Sequence, residues 1–168
     1  MEASLGLVRS VSLTTRRARD HEVAGRDYSF VTREVFLRRR QRGELLEWAR
    51  VFGDFYGTPR AFVEKQTARG KDLLLTLDVQ GAMQVKRKWA DARLIFILPP
   101  SMAVLRKRLL GRRTEGRAQV QHRLRCAQKE LRQASKYDYA VVNDRLSNAL
   151  AHLKAIILAE GCRVGSFR

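Results

Sequence analysis

A chain of 168 residues with 45% hydrophobic content is long enough to bury a core and too apolar to be disordered. Its two cysteines, Cys126 and Cys162, exclude a disulfide framework or zinc knuckle and fit a reducing cytoplasm; no apolar run reaches the roughly 18 residues of a membrane span, and the start lacks a signal-peptide pattern. The formal net charge of +17 suggests a polyanionic ligand, but the basic residues are spread along the chain without aromatic interleaving, which argues against nucleic acid; the excess of arginine over lysine fits either GC-rich coding or phosphate recognition by guanidinium groups.

A first strand is expected in "LGLVRSVSL" and a second, short one in "DYSFV". From Thr32, "TREVFLRRRQRG" reads as a helix closed by Gly43 in the left-handed conformation, with Arg38 to Arg42 on its solvated face. "ELLEWARVFGDFYG" reads as a small antiparallel excursion around Gly53, and Thr58 and Pro59 as the N-cap and first residue of the helix "RAFVEKQTAR", ended by Gly70. "LLLTLDV", Leu73 to Val79, and "RLIFIL", Arg93 to Leu98, have the near-continuous apolar character of strands covered on both faces. Ser101 can cap the helix "MAVLRKRLLG"; a long polar helix from about Glu115 to Ser135, the strand "YAVVN" and a closing amphipathic helix through Leu146, Leu150, Leu153 and Ile157 complete the chain. Strands alternating with helices imply an α/β fold with a mostly parallel sheet, and such sheets bind ligands at the carboxyl ends of their strands. Cys126 is expected to be buried packing, and His21, His122 and His152 have no metal-ligand spacing.

Two groups of residues carry chemistry. Arg16, Arg17 or Arg19 in "TTRRAR", with the hydroxyls of Tyr28 and Tyr56, can meet phosphate oxygens. Glu47, Asp78, Ser12 and Thr58 offer two carboxylates and two hydroxyls, a complement to guanine with its N1–H and N2 amino donors. Adenine, with an acceptor at N1, would leave those buried groups mismatched.

The run of signatures "SVSLTTRRAR", "EVAGRDYSFV", "GELLEWARVFGDFYGTPR", "LLLTLDVQGA", "LIFILPPS" and "YDYAVVND" resembles the guanylate kinase family almost end to end. The resemblance implies a single P-loop-kinase-like α/β domain over 1–168: a mostly parallel sheet flanked by helices, a small mixed GMP-binding subdomain at about 13–60, and a helical lid at about 108–125. It implies transfer of the γ-phosphoryl of ATP to GMP with magnesium carried by ATP and no protein-held metal. Ser12, Glu47, Thr58 and Asp78 would surround guanine, and Arg16, Arg19, Tyr28 and Tyr56 the GMP phosphate. Arg108, Arg112 and Arg123 would be lid arginines reaching the transferred phosphoryl, with Asn143 near the ATP base.

Three features depart from that pattern. No GxxxxGK[ST] occurs: the only Gly-Lys pair is Gly70-Lys71, and Lys65 stands where the first glycine should be. Thr76 occupies a position where the family commonly has an acidic residue near the metal, and Arg113 one where glycine is usual. Without the first core strand, P-loop and following helix, the sequence predicts weak or absent catalysis. It also predicts an exposed sheet that is less stable or covered by a protein partner or another copy. The alternative function is then a non-catalytic module binding GMP or a phosphopeptide.

Overall fold

Thr32 starts the first helix as the sequence predicts. In the computed structural model, which describes residues 5–111 and 117–164, its side chain accepts the Val35 N–H at 3.3 Å and helix α1 runs Arg33–Gln41. Glu34 in the first turn and Arg38, Arg39 and Arg40 in the last complement the helix dipole, and Gly43 follows with φ of 68°. The described residues divide into two units, one ending at Ala92 and the other beginning at Arg93.

In the first unit the expected opening strand is split. β1 (Val8–Arg9) pairs in parallel with β6 (Leu73–Leu74), whereas β2 (Leu13–Thr14) joins a different sheet with β3 (Ser29–Phe30), β4 (Leu45–Val51) and β5 (Asp54–Pro59) in the order β3-β2-β5-β4. An apolar run does not mark where a chain changes partners, and Ser10 to Ser12 bridge the change. "LLLTLDV" likewise forms a strand only at Leu73–Leu74; Leu75 and Leu77 instead pack against the core of Leu46, Val63 and Val85.

The antiparallel excursion is a hairpin of β4 and β5. Phe52 and Gly53 at its tip both have positive φ, 51° and 98°, as a two-residue turn matching the right-handed twist of the strands requires. One face of this sheet packs on α1 through Leu13, Phe36, Leu45 and Phe55, with the Phe36 and Phe55 rings stacked at 5.3 Å. The other face receives α2 (Arg60–Thr67) and α3 (Val79–Lys88), whose Val63 and Val85 meet Leu46. The N-cap of α2 is Pro59 and no side chain caps it. Thr58 is part of β5, and its hydroxyl is committed elsewhere, which corrects the reading of Thr58 as a helix cap.

The second unit holds β7 (Ile95–Leu98) in parallel with β8 (Tyr139–Val142), with α4 (Met102–Leu110), α5 (Arg117–Leu131) and α6 (Leu146–Gly161). Ser101 caps α4 by accepting the Val104 N–H at 3.1 Å. Glu160 near the end of α6 accepts the Tyr139 hydroxyl and the Arg93 Nε–H, the latter at 2.7 Å; the hydroxyl first and then the arginines hold its carboxyl down at about 2. Ile97 and Val142 remain 46% and 44% exposed, so the β7–β8 pair is not covered on both faces. Cys126 is half-buried, not buried as expected, and its sulfur lies 3.8 Å from His122 Nε2. The α/β architecture with parallel pairs and a small mixed sheet is the expected one. Among the described residues the parallel pairings are β1 with β6 and β2 with β3 in the first unit and β7 with β8 in the second.

Candidate functional site

Strand alternation puts Tyr56 and Thr58 on the same face of β5, opposite the face that Gly57 turns toward α1. A Cβ on Gly57 would sit 3.1 Å from the Phe36 ring and 3.0 Å from Leu45, so glycine is what lets α1 close on this strand. Across the ladder, Leu45 pairs with Pro59 and Glu47 with Thr58, leaving Leu46 as an extra residue in a β-bulge. The bulge re-aims the strand, so Leu46 enters the α2–α3 core while Glu47 stands beside Thr58.

Glu47 is only 3% exposed and Thr58 is fully buried. The Thr58 hydroxyl donates to Glu47 Oε1 at 2.6 Å. Burial pushes the Glu47 carboxyl above the usual range, and the nearby Asp78 charge adds to the shift, against the Thr58 hydrogen bond and Lys88, which pull it down. Asp78 caps α3: its Oδ1 accepts the Gly81 N–H at 3.0 Å and its Oδ2 the Gln80 amide at 3.3 Å. Gly81 lies between the two carboxylates. A Cβ there would overlap Glu47 Oε2 and sit 3.1 Å from its Cδ and 3.2 Å from Asp78 Oδ1. Gly→Ala inside a helix ordinarily stabilises by about 0.5–1 kcal/mol. Gly81→Ala is expected to forfeit that gain and to weaken binding of a ligand held by both carboxylates by about tenfold, the scale on which a displaced polar contact costs; melting and calorimetric titration read the two effects.

The other end of the face is basic. Arg16 donates through Nε to the Tyr56 hydroxyl at 3.2 Å and through Nη2 to both Glu22 oxygens at 2.8 and 3.0 Å, and its guanidinium lies 5.5 Å from the Tyr28 ring centre. Glu22 also accepts the Arg19 N–H at 2.9 Å and lies 3.6 Å from Arg19 Nη1. Hydrogen bonding to Arg16, then the Arg19 N–H, holds its carboxyl below the usual range despite its burial. The Tyr28 and Tyr56 rings meet edge to face at 6.0 Å. Ser12 and Tyr28 line a cavity of about 190 Å³ with Arg9, Ser10, His21, Glu22, Asp27 and Thr76; the buried Ser10 hydroxyl in it has no hydrogen-bond partner among the described residues.

In the first unit Glu47, Thr58 and Asp78 form one group and Arg16, Arg19, Tyr28 and Tyr56 another, whereas Ser12, expected near guanine, lines the cavity beside Tyr28. Glu22, Gly81 and Gln84 belong to the same neighbourhood and were not read from the sequence. Gly81 alone carried a signal, being a glycine inside a helical pattern, whereas Glu22 meets Arg16 through a loop that no periodicity reports. Arg108, Arg123 and Asn143 belong to the second unit. Arg108 Nη2 donates to the Asp144 carbonyl at 3.2 Å, Arg123 is half-buried on α5, and the Asn143 N–H is bonded to the Leu98 carbonyl at 2.7 Å. Arg112 lies outside the described residues. Among the described residues no group of three or more His, Cys, Asp or Glu could hold a metal ion, and no helix is long and apolar enough to cross a membrane.

Comparison with known proteins gives one family. The family model described as guanylate kinase matches residues 3–160. The chain is 48% identical over 158 residues to a guanylate kinase of Symbiobacterium thermophilum, covering 94% of this chain and 75% of that protein. It is 49% identical over 158 residues to one of Thermotoga maritima, covering 94% and 76%. Among solved structures it is similar to the crystal structure of guanylate kinase from Anaplasma phagocytophilum, with a TM-score of 0.83 and 38% identity over 96% of this chain and 81% of that one.

Proposed function

The chain belongs to the guanylate kinase family, and from that premise we propose that its first unit is the acceptor site for GMP in an ATP-dependent phosphoryl transfer that yields GDP and ADP. The observation that carries the proposal is the buried Glu47–Thr58 hydrogen bond beside Asp78 at one end of β5, with the Arg16–Tyr56 pair at the other. One end offers carboxylate acceptors for the guanine N1–H and N2 amino donors. The other offers a guanidinium and two phenols for a phosphate, with Arg19 one turn of loop away. A monophosphate fixed at both ends presents its remaining oxygen as the nucleophile, and such transfer is mostly positioning and charge neutralisation.

Arg108, Arg112 and Arg123 are assigned the charge on the phosphoryl in transit, and Asn143 a place near the ATP base. Magnesium would enter with ATP, bound by its phosphate oxygens. These 168 residues contain no GxxxxGK[ST], so the cradle such a loop makes for the ATP phosphates is not among them. Both cysteines are free thiols, and a cytoplasmic setting is part of the proposal.

Calorimetric titration of the chain with GMP, IMP and AMP tests the acceptor site, and a coupled ADP-release assay with GMP and MgATP tests transfer. GMP binding in preference to AMP is expected, and equal affinity for the two would overturn the reading. Binding with no turnover would mark a GMP-binding module in place of a kinase.

A further inference from the structure

α3 is fastened to the edge of the sheet by its own side chains. β4 is the outer strand of β3-β2-β5-β4, so its outward N–H and C=O groups have no neighbouring strand in that sheet. The Gln84 amide pairs with one residue of that edge in both directions: Nε2 donates to the Trp48 carbonyl at 2.7 Å and Oε1 accepts the Trp48 N–H at 3.3 Å. One turn further along, Lys88 Nζ donates to the Leu46 carbonyl. One turn earlier is Gly81, against the Glu47 carboxylate, and Asp78 caps the same helix.

Trp48 is the residue after Glu47, and Gln84 is six after Asp78. We propose that Gln84 is a positioning residue for base recognition: its two hydrogen bonds to Trp48 fix the register of α3 on β4, and with it the spacing of the Glu47 and Asp78 carboxylates. This rests on the assignment of those carboxylates to guanine. The amide suits the task because it is a donor and an acceptor on one rigid plane and mimics a neighbouring strand. Val85 and Leu46 press the two elements together through the core, but apolar contact is non-directional and leaves sliding along the strand open. The paired amide resists that sliding. Gln84 is half-buried, reaches neither carboxylate through any described hydrogen bond, and so acts through backbone placement.

The test uses Gln84→Met, which keeps the length of the side chain and removes both hydrogen bonds, and Gln84→Ala beside it. GMP and IMP are titrated into each, because IMP lacks the N2 amino group and depends less on where the second carboxylate sits. GMP affinity is expected to fall about tenfold and IMP affinity by no more than about twofold, the asymmetry that a small misplacement of a binding group produces. Melting should stay near that of the parent chain, since water can satisfy the uncovered Trp48 groups. Loss of GMP and IMP binding in equal proportion, or no loss of either, overturns the proposal. A variant that no longer melts cooperatively also overturns it, by making Gln84 a requirement for folding. Glu47→Gln is run in parallel. If it abolishes the GMP-over-IMP preference while Gln84→Met retains it, the positioning role alone fails. If Glu47→Gln retains the preference, the guanine assignment fails and takes the positioning role with it.

Discussion

Glu47→Gln is expected to weaken GMP binding about a hundredfold while raising the melting temperature of the free chain. The affinity loss follows from chemistry at the base: an ionised carboxylate accepts from both guanine donors, whereas an amide turns an N–H₂ toward one of them. Losing a buried charged partner of this kind costs about 2–5 kcal/mol, and a hundredfold is about 2.7 kcal/mol. The stability gain has the opposite sign because the carboxylate is buried, beside Asp78, and holds its proton more tightly than it would in the unfolded chain. A group with a raised folded pKa contributes stability that is complete below its unfolded value and is lost as pH rises through the folded value. Once ionised, Glu47 therefore opposes folding. Glutamine removes the charge and still accepts from Thr58. Ligand affinity runs the other way, rising with pH as Glu47 ionises. Titrating guanosine, which lacks a phosphate of its own to titrate, should show affinity increasing through the Glu47 ionisation and then levelling, and Glu47→Gln should flatten the profile. A variant that lowers both stability and affinity would show that the carboxylate serves packing.

Arg16→Ala is expected to cost GMP about a hundredfold in affinity and guanosine almost nothing, since it removes a charge-assisted fork and leaves the base site alone. All three guanidinium nitrogens are already held, by Tyr56, Glu22 and the Arg17 carbonyl, the last at 2.6 Å. The side chain is thereby fixed before a phosphate arrives, and little rotamer freedom is left to lose on binding. Its removal does second harm, because Glu22 then faces an incoming phosphate with one fewer cation. Glu22→Gln combined with Arg16→Ala should recover part of the loss. Arg16→Lys should fall between, keeping the charge and losing the fork. Comparable losses for GMP and guanosine would place Arg16 in the scaffold and not on the phosphate.

Local signals carried much of the fold. Thr32 and Gly43 bracket α1, Phe52-Gly53 turns the hairpin, and Ser101 caps α4, because each acts on backbone a few residues away. What failed depended on partners distant in sequence. "LGLVRSVSL" reads as one strand, yet its two halves pair with different sheets. Thr58 before Pro59 has the composition of a helix cap, but Glu47, eleven residues earlier, claims its hydroxyl. Asp78 caps α3 with one oxygen while standing next to Glu47, so its structural role leaves room for the proposed one. The residues proposed for the acceptor site came from resemblance to a family. Their support, Glu22 and Gln84, was not legible, because neither has a spacing that announces its partner.

The bulge at Leu46 bears on how such a site can be altered or transplanted. Deleting one residue there would yield a flush ladder, more regular and by local criteria better made, yet Leu46 and Glu47 could no longer share a face. Sequence optimisation toward ideal strands would therefore erase the proposed base site while improving the sheet. A designer grafting this recognition onto another hairpin has to carry the irregularity along with the glutamate.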